Sequence, residues 1–548
     1  MIFSFLILAL LVRGQVTTQP LKVIIHFDYG SLSHIKPLME IGNILRNRNH
    51  SVIYAASALN EKYNEPYAFE YAPLGKGFFD PVFFRNRMDV LRGARQSRGG
   101  GMVFASLTHS LPISYEDVYP RLSHVVDQTH PDVMICDFFS PACRDVAEMK
   151  GVPVVMGFQS TDGFGISRNS FITEAMAYGS ITTDKLTFLE RFVDKVFARL
   201  EFAYNSYSLR TALNKKRKHF GVPPSSFPLS DFSSVLGLAN TFVGFEAASL
   251  LPPNIVTIGP LRTEEAPQLD ADLESFLTEH PHTLYIAFGT RVILSSSDIT
   301  TLLEGSLAAL KEGSIDGIIW GLGSTSKEDF PSFITLNNTQ VTTESLFNSP
   351  HTRLLPWVPQ TAILNHNSTK VFISHGGLES MFEAIFSTTP IICMPFYGDQ
   401  PRNARKVEDA GIGVYFDRIF ASPSTLRGNI EKIRNDQGGR VAMNLRRMQS
   451  LAEIGSRRKE LGADAVEGYA YGARICRPSL PYGYGEVPCE AQHLIPVSHR
   501  MSFIKLSLID IYSAAIFLAA SVTMVVLFAS YKAYVYLFRT PIPKVKVR

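Results

Sequence analysis

Cysteine is scarce in this chain: Cys136, Cys143, Cys393, Cys476 and Cys489 are scattered over 548 residues, and none forms a C-x-x-C pair. That excludes a disulfide-built scaffold, although Cys476 and Cys489 could bridge in an oxidising compartment. Excess charge of one sign is also lacking. With a formal net charge of +3 the composition shows no nucleic-acid footprint, and nucleic acid is not an expected partner. The tract Gly99-Gly100-Gly101 has no following Lys-Ser/Thr, so it is a turn rather than a phosphate loop. Apolar runs long enough to cross a bilayer are missing apart from Ile511 to Ser530, 20 residues without a charge.

That run and its flanks predict topology. Tyr531, Tyr534 and Tyr536 stand at its exit like an aromatic belt, and residues 531–548 carry Lys532, Arg539, Lys544, Lys546 and Arg548 without an acid, which places that end in the cytosol. Lys544 and Lys546 resemble cytosolic lysine signals that return proteins to the endoplasmic reticulum. At the other end, residues 1–14 read as a signal peptide, because the apolar run Ile2 to Val12 is too short to span. A single-pass type I protein of the endoplasmic reticulum membrane, with its bulk in the lumen, is the expectation. Sequons at Asn49, Asn337 and Asn367 would then make it a glycoprotein.

A length of 548 residues needs more than one core. Leu21 to Phe27, a turn containing Gly30, a helical pattern from Ile35 to Arg46 and a strand Ser51 to Ala56 make a β-α-β opening, the start of a parallel sheet. His34 falls where turn becomes helix, beyond a strand's carboxyl end, where such sheets bind ligands. A second strand, Val133 to Cys136, ends in Asp137. Residues 184–218 carry Leu186, Leu189, Phe192, Val193, Val196, Phe197 and Leu200 on one side of a helix, a face that packs on the sheet or grazes a membrane. Polar residues 263–272 are the expected linker, and Asp270-Ala271-Asp272 reads as a helix cap rather than a metal site. The predicted order is 21–262, a first domain; 273–455, a second domain; 456–510, a connector; 511–530, a transmembrane helix; and 531–548, a basic tail.

The densest stretch is Trp357 to Gln400. Two strand-like runs, Lys370 to Ser374 and Pro390 to Met394, are each followed by a turn, and the first turn is His375-Gly376-Gly377. Glycines after a strand let backbone approach a bulky anion, and the following helix aims its amides and partial positive charge there. A diphosphate is the natural guest. His366 and His375 lack the spacing of zinc ligands and have no cysteine near them.

Trp357, Pro359, Gln360, His366, Phe372, His375, Gly376, Gly377, Ser380, Glu383, Pro390, Pro395, Asp399 and Gln400 meet the nucleotide-sugar signature W-x-P-Q, H, F-x-x-H-G-G, S-x-x-E, P, P, D-Q. The chain thus resembles the UDP-glycosyltransferases over roughly residues 21 to 530. The resemblance implies an α/β chain of GT-B architecture with two facing doubly wound Rossmann-like domains, 21–262 binding the acceptor and 273–455 the UDP-sugar, to which the transmembrane helix read above is added. It implies that Trp357 stacks on uracil, Gln360 and Glu383 hold the ribose, and His375, the Gly376 and Gly377 amides and Ser380 bind diphosphate. Asp399 and Gln400 would grip sugar hydroxyls, and Gly289-Thr290 resembles the family's F-G-S turn. Ser33-His34-Ile35-Lys36-Pro37 matches the context of the family's catalytic His, held by an Asp in the place of Asp137. The implied reaction is inverting and metal-independent, needs no cofactor, and uses the UDP-sugar as co-substrate. UDP-glucose is favoured over UDP-glucuronate, for which Arg402 could supply a cation; the acceptor is a lipophilic small molecule or lipid hydroxyl. Glu379 stands where many relatives have Asn, and Ala287 replaces a Ser. A membrane-tethered UDP-sugar-binding protein without turnover is the alternative, opposed by the presence of both His34 and Asp137.

Overall fold

The computed structural model describes residues 19–28, 32–77, 100–161, 171–173, 180–226, 234–262, 267–325, 327–336, 339–479, 486–496 and 501–539. The predicted signal peptide 1–14, Gly30, residues 263–266 of the expected linker, the sequon Asn337 and the end of the basic tail lie outside them. The chain separates into a large unit ending at Leu494 and a second one from Ile495.

Within the large unit lie two parallel sheets. The first contains β1 (Lys22–Phe27), β2 (Ser51–Ala56), β3 (Glu70–Pro73), β4 (Val133–Asp137), β5 (Val154–Phe158), β6 (Leu236–Ala239) and β7 (Ile255–Thr257), in the order β3-β2-β1-β4-β5-β6-β7. Helices on both faces explain why its central strands are apolar runs rather than alternating patterns; every residue of β4 and β5 is buried. The second contains β8 (Thr283–Ala287), β9 (Gly317–Gly321), β12 (Thr352–Leu355), β13 (Thr369–Ser374), β14 (Ile391–Cys393) and β15 (Gly413–Tyr415), in the order β12-β9-β8-β13-β14-β15. A hairpin, β10 (Phe333–Leu336) with β11 (Thr339–Thr342), is inserted before β12. Both sheets therefore reverse their winding between the first and fourth strands, β1/β4 and β8/β13. Ligands bind beyond the carboxyl ends at such switch points.

The lobes touch along a seam. Phe242 and Phe245, just past β6, pack against Phe382 of the second lobe with ring centroids 6.1 and 5.6 Å away. Beside them the Lys406 ammonium meets Glu246 at 2.5 Å, and both side chains are withdrawn from water.

Four features differ from the sequence-based expectations. Gly100 and Gly101, read as part of a turn, open the helix Gly100–Thr129. The span 456–510 is not a plain connector: it holds the helix Lys459–Cys476, which returns to the first lobe. Arg48 there meets Glu460, Asp464 and Glu467, and Gly462 sits so close to Ile41 and Ile258 that a Cβ would stand 2.7 and 2.9 Å from them. Cys476 and Cys489 are bridged, but so are Cys136 and Cys143. Finally, the predicted apolar face of 184–218 does not pack on the sheet. Leu189, Phe192, Val196, Phe197 and Leu200 are exposed, and the buried face is Ser206, Leu209, Leu213 and Arg217 of the helix Ala198–His219, which lies on the helix Gly100–Thr129.

In the second unit Leu508 takes a left-handed conformation and the helix Ile509–Phe538 follows. Its 30 residues, with an 18-residue stretch of mean hydropathy 2.2, make it long and apolar enough to cross a membrane.

Candidate active site

At the first switch point His34 is the third residue of the helix Leu32–Asn47, entered from β1, and Asp137 is the last residue of β4. Their side chains meet, His34 Nδ1 lying 3.0 Å from Asp137 Oδ2. Asp137 is fully buried, and its other oxygen accepts the Phe139 N–H at 2.9 Å. A carboxylate only accepts hydrogen bonds, so Nδ1 carries a proton and Nε2 is the nitrogen that offers its lone pair in the neutral ring. Phe138 and Phe139, with ring centroids 4.0 Å apart, stand together beside the ring, 5.5 and 5.4 Å away. The Cys136–Cys143 bridge spans the turn holding Asp137, Phe138 and Phe139.

At the second switch point Gly289 follows β8 and His375 follows β13. The imidazole of His375 lies in a cradle that two glycines keep open. A Cβ on Gly377 would stand 2.5 Å from Nε2, and one on Gly289, at φ +66°, would stand 3.0 Å from Cε1. Burial pushes the His375 pKa down to about 4. It is therefore a neutral hydrogen-bond donor at neutral pH, not a cation. Its C–H resonances in the ligand-free protein should stay flat from pH 8 to 5 in an NMR titration. Because the unfolded imidazole takes its proton near pH 6.5, this group favours folding at higher pH, and that contribution is lost as pH falls from about 6.5 toward 4.

The helix Leu378–Phe386 begins after Gly377, and its first intrahelical bond, Met381 N–H to Gly377 O, leaves the amides of Leu378, Glu379 and Ser380 without an intrahelical acceptor. The Gly376 amide differs from expectation. It donates to Ser374 Oγ at 3.3 Å, while its carbonyl accepts from Asn403 Nδ2 at 2.9 Å, so Gly376 shapes the turn.

Gln360, Ser380 and Glu383 form one network. Gln360 Nε2 donates to Ser380 Oγ at 3.2 Å and to Glu383, whose second oxygen accepts from Thr361 Oγ1. Tyr285 donates its hydroxyl to Gln360 Oε1 at 3.2 Å. Burial first, and the charge of Glu379 second, raise the Glu383 carboxyl above its ordinary range. The Ser380 side chain, expected on the diphosphate, thus serves the Gln360 amide. Trp357 is 71% exposed, which rules out a core role and leaves an open ring face for stacking. Thr290 accepts from Ser324 Oγ through its carbonyl at 2.6 Å. Asp399 is exposed and accepts from Asn403 at 2.7 Å, whereas Gln400 is buried and its Oε1 takes the Phe396 and Tyr397 amides at 2.9 and 3.2 Å. Gln400 can offer a ligand only its NH2 end.

Tyr285, Thr361, Ser374 and Asn403 were not foreseen. Tyr285 and Asn403 act on residues far from them in the chain, at Gln360 and Gly376, while Ser374 and Thr361 adjoin site residues but belong to no signature. Asp270 caps the helix Ala271–Glu279 through the Leu273 amide at 2.8 Å, as its position predicts, and Asp272 pairs with Arg353. Arg402 reaches across the seam to the Thr173 carbonyl and hydroxyl at 3.2 and 3.3 Å.

A sequence model of the family described as UDP-glucoronosyl and UDP-glucosyl transferase matches residues 119–450. The UDP-glycosyltransferase stmC of Aspergillus ustus is 27% identical over 521 residues, 90% of this chain and 94% of that one. The 2-hydroxyacylsphingosine 1-beta-galactosyltransferase of Mus musculus is 26% identical over 61% of this chain and 55% of its own. Among solved structures, the glycosyltransferase of kitacinnamycin superposes with a TM-score of 0.54 at 19% identity, covering 82% of this chain and 99% of that one, which establishes the shared GT-B fold. With nucleotide-type switch points in both lobes and the family's signature spread along the second, this chain belongs to the UDP-glycosyltransferase family and is a glycosyltransferase.

Proposed function

We propose that the enzyme transfers glucose from UDP-glucose, with inversion, to a hydroxyl of a lipophilic small molecule or lipid. One observation carries this reading: the His34–Asp137 dyad of one lobe stands beside the amide-bearing end of the Leu378–Phe386 helix in the other, since Lys36, two residues past His34, touches Glu379. His34 Nε2 takes the acceptor proton as its oxygen attacks the anomeric carbon, while Asp137 holds the ring and stabilises the imidazolium that forms. The bond from the anomeric carbon to UDP breaks, and the leaving diphosphate keeps the electron pair. The helix amides and the neutral His375 N–H stabilise that charge. Such a displacement involves two substrates and no further cofactor. Amides rather than a metal ion serve the diphosphate in this scheme, since Asp270 and Asp272 are already held by a cap and by Arg353.

The sugar assignment rests on Asp399, whose carboxylate suits neutral ring hydroxyls, and on Arg402, whose guanidinium is engaged by Thr173. UDP-glucuronate stands second. The apolar acceptor rests on Phe138 and Phe139 beside His34, and on a relative named for acting on a sphingosine lipid. The predicted signal peptide, two disulfides, exposed sequon residues Asn49 and Asn367, the helix Ile509–Phe538 and the basic tail together support the lumenal, endoplasmic reticulum placement. Purified enzyme given lipid acceptors should turn over labelled UDP-glucose at least tenfold faster than UDP-glucuronate, with a product of inverted anomeric configuration by NMR. The opposite preference, or retention, would overturn the assignment.

A further inference from the structure

Lys36 and Glu379 lie 343 positions apart, on helices of different lobes, and their charged ends are 2.6 Å apart. Their side chains are only 9% and 25% exposed, so water screens the pair far less than it would a surface ion pair. Glu379 occupies the first turn of the Leu378–Phe386 helix. A carboxylate there is attracted by the same amides and partial positive charge that would hold a diphosphate, and it repels that diphosphate. Glu383, one turn along and partly buried, adds a second carboxyl whose ionisation is disfavoured by Glu379 and favoured by Lys36. Lys36 follows His34 by two residues in the helix Leu32–Asn47.

We infer that Lys36 is a positioning residue for donor binding: it masks the Glu379 carboxylate where the diphosphate enters and ties the helix carrying His34 to the donor-binding lobe. The inference rests on the UDP-sugar reading of that site. Lys36 acts through Glu379, not by touching the donor, and this makes a distinctive pattern of variants. Without its partner the Glu379 charge is left bare, so Lys36→Met should weaken UDP binding about tenfold and raise the donor KM by a similar factor, with a smaller fall in kcat. Removing the charge that needs masking should repair this. Lys36→Met/Glu379→Gln should bind UDP within threefold of wild type, and Glu379→Gln alone should bind it no more weakly than wild type. Lys36→Arg keeps the charge and should stay within threefold.

The measurement is UDP titration by calorimetry on the full-length protein in detergent, beside donor kinetics, with thermal melting to confirm folding. A loss below fivefold in Lys36→Met overturns the inference, as does a double variant that recovers less than half of the loss on a logarithmic scale. If Lys36→Met does not fold, Glu379→Gln decides alone: a merely structural pair, or direct contact that needs both residues, predicts a loss of fivefold or more there, and that result overturns the inference too. Failure of the wild-type protein to bind UDP is a separate outcome. It would remove the UDP-sugar reading itself and the inference with it.

Discussion

Turnover should fall by roughly 10²- to 10⁴-fold when His34 is replaced by Ala, the range that a positioned general base contributes. Asp137→Asn should fall in the same range, because an amide NH2 facing Nδ1 would turn the imidazole to the tautomer whose Nε2 carries the proton. Asp137 is fully buried and holds both His34 and the Phe139 amide, so Asn keeps the shape of the site while changing only what is offered to the ring. Residues that act as one unit are not additive, and the double variant should be little worse than either single one. UDP affinity should stay within about threefold, since the signature residues lie on the other lobe. Initial rates with labelled UDP-glucose and calorimetry with UDP check both halves. Undiminished transfer by His34→Ala protein of confirmed fold would remove the proposed base.

Gly377→Ala should weaken UDP binding by about 10- to 100-fold, which corresponds to about 1.4–2.7 kcal/mol. The cause is steric. Gly377 has an ordinary φ of −66°, so Ala suffers no backbone strain, but its Cβ would stand 2.5 Å from His375 Nε2 and 2.9 Å from Cε1. The ring has little room to retreat, because Gly289 also lies close to it, its Cβ position 3.0 Å from Cε1. Either the imidazole leaves its place or the helix end shifts, and both misplace the diphosphate donors; overpacking of this kind costs about 1–3 kcal/mol. Gly428→Ala is the matched control. No atom lies within 4 Å of its Cβ position, and it sits inside the helix Pro423–Asn435, so UDP affinity should not change while stability rises by about 0.5–1 kcal/mol. Equal UDP affinity in Gly377→Ala and wild type would show that the His375 cradle does not serve the ligand.

Much of this site is legible in the linear chain because its key residues sit where a strand hands over to a helix. An apolar run, a turn and a helical pattern are local signals, so His34 after β1, Asp137 at the end of β4 and His375-Gly376-Gly377 after β13 can each be placed beyond a strand's carboxyl end. The 20 uncharged residues from Ile511 likewise predict a long apolar helix by composition alone, and the helix Ile509–Phe538 contains them. The Asp270 cap follows from its position ahead of a helical run.

Tertiary structure decided what depends on distance across the fold. Lys36 lies two positions past His34, a spacing that puts the two on different faces of a helix, so nothing in the chain announces that one meets Asp137 and the other meets Glu379. The neutral state of His375 is a consequence of burial, and burial is a property of the packed lobe rather than of His-Gly-Gly. The same holds for the Gly376 amide bound to Ser374, for Gln400 turned to its own loop and for Arg402 drawn to Thr173: residue type gave their chemistry, while the available partner set its use. The Cys136–Cys143 bridge forms because β4 and the following helix bring two Cα atoms to 5.9 Å, a proximity that seven residues of sequence separation neither require nor forbid. Apolar periodicity at 184–218 identified a helix face but not its partner, for the residues that pack there are those the neighbouring helix can reach, Leu209 and Leu213, and not the larger stripe before them.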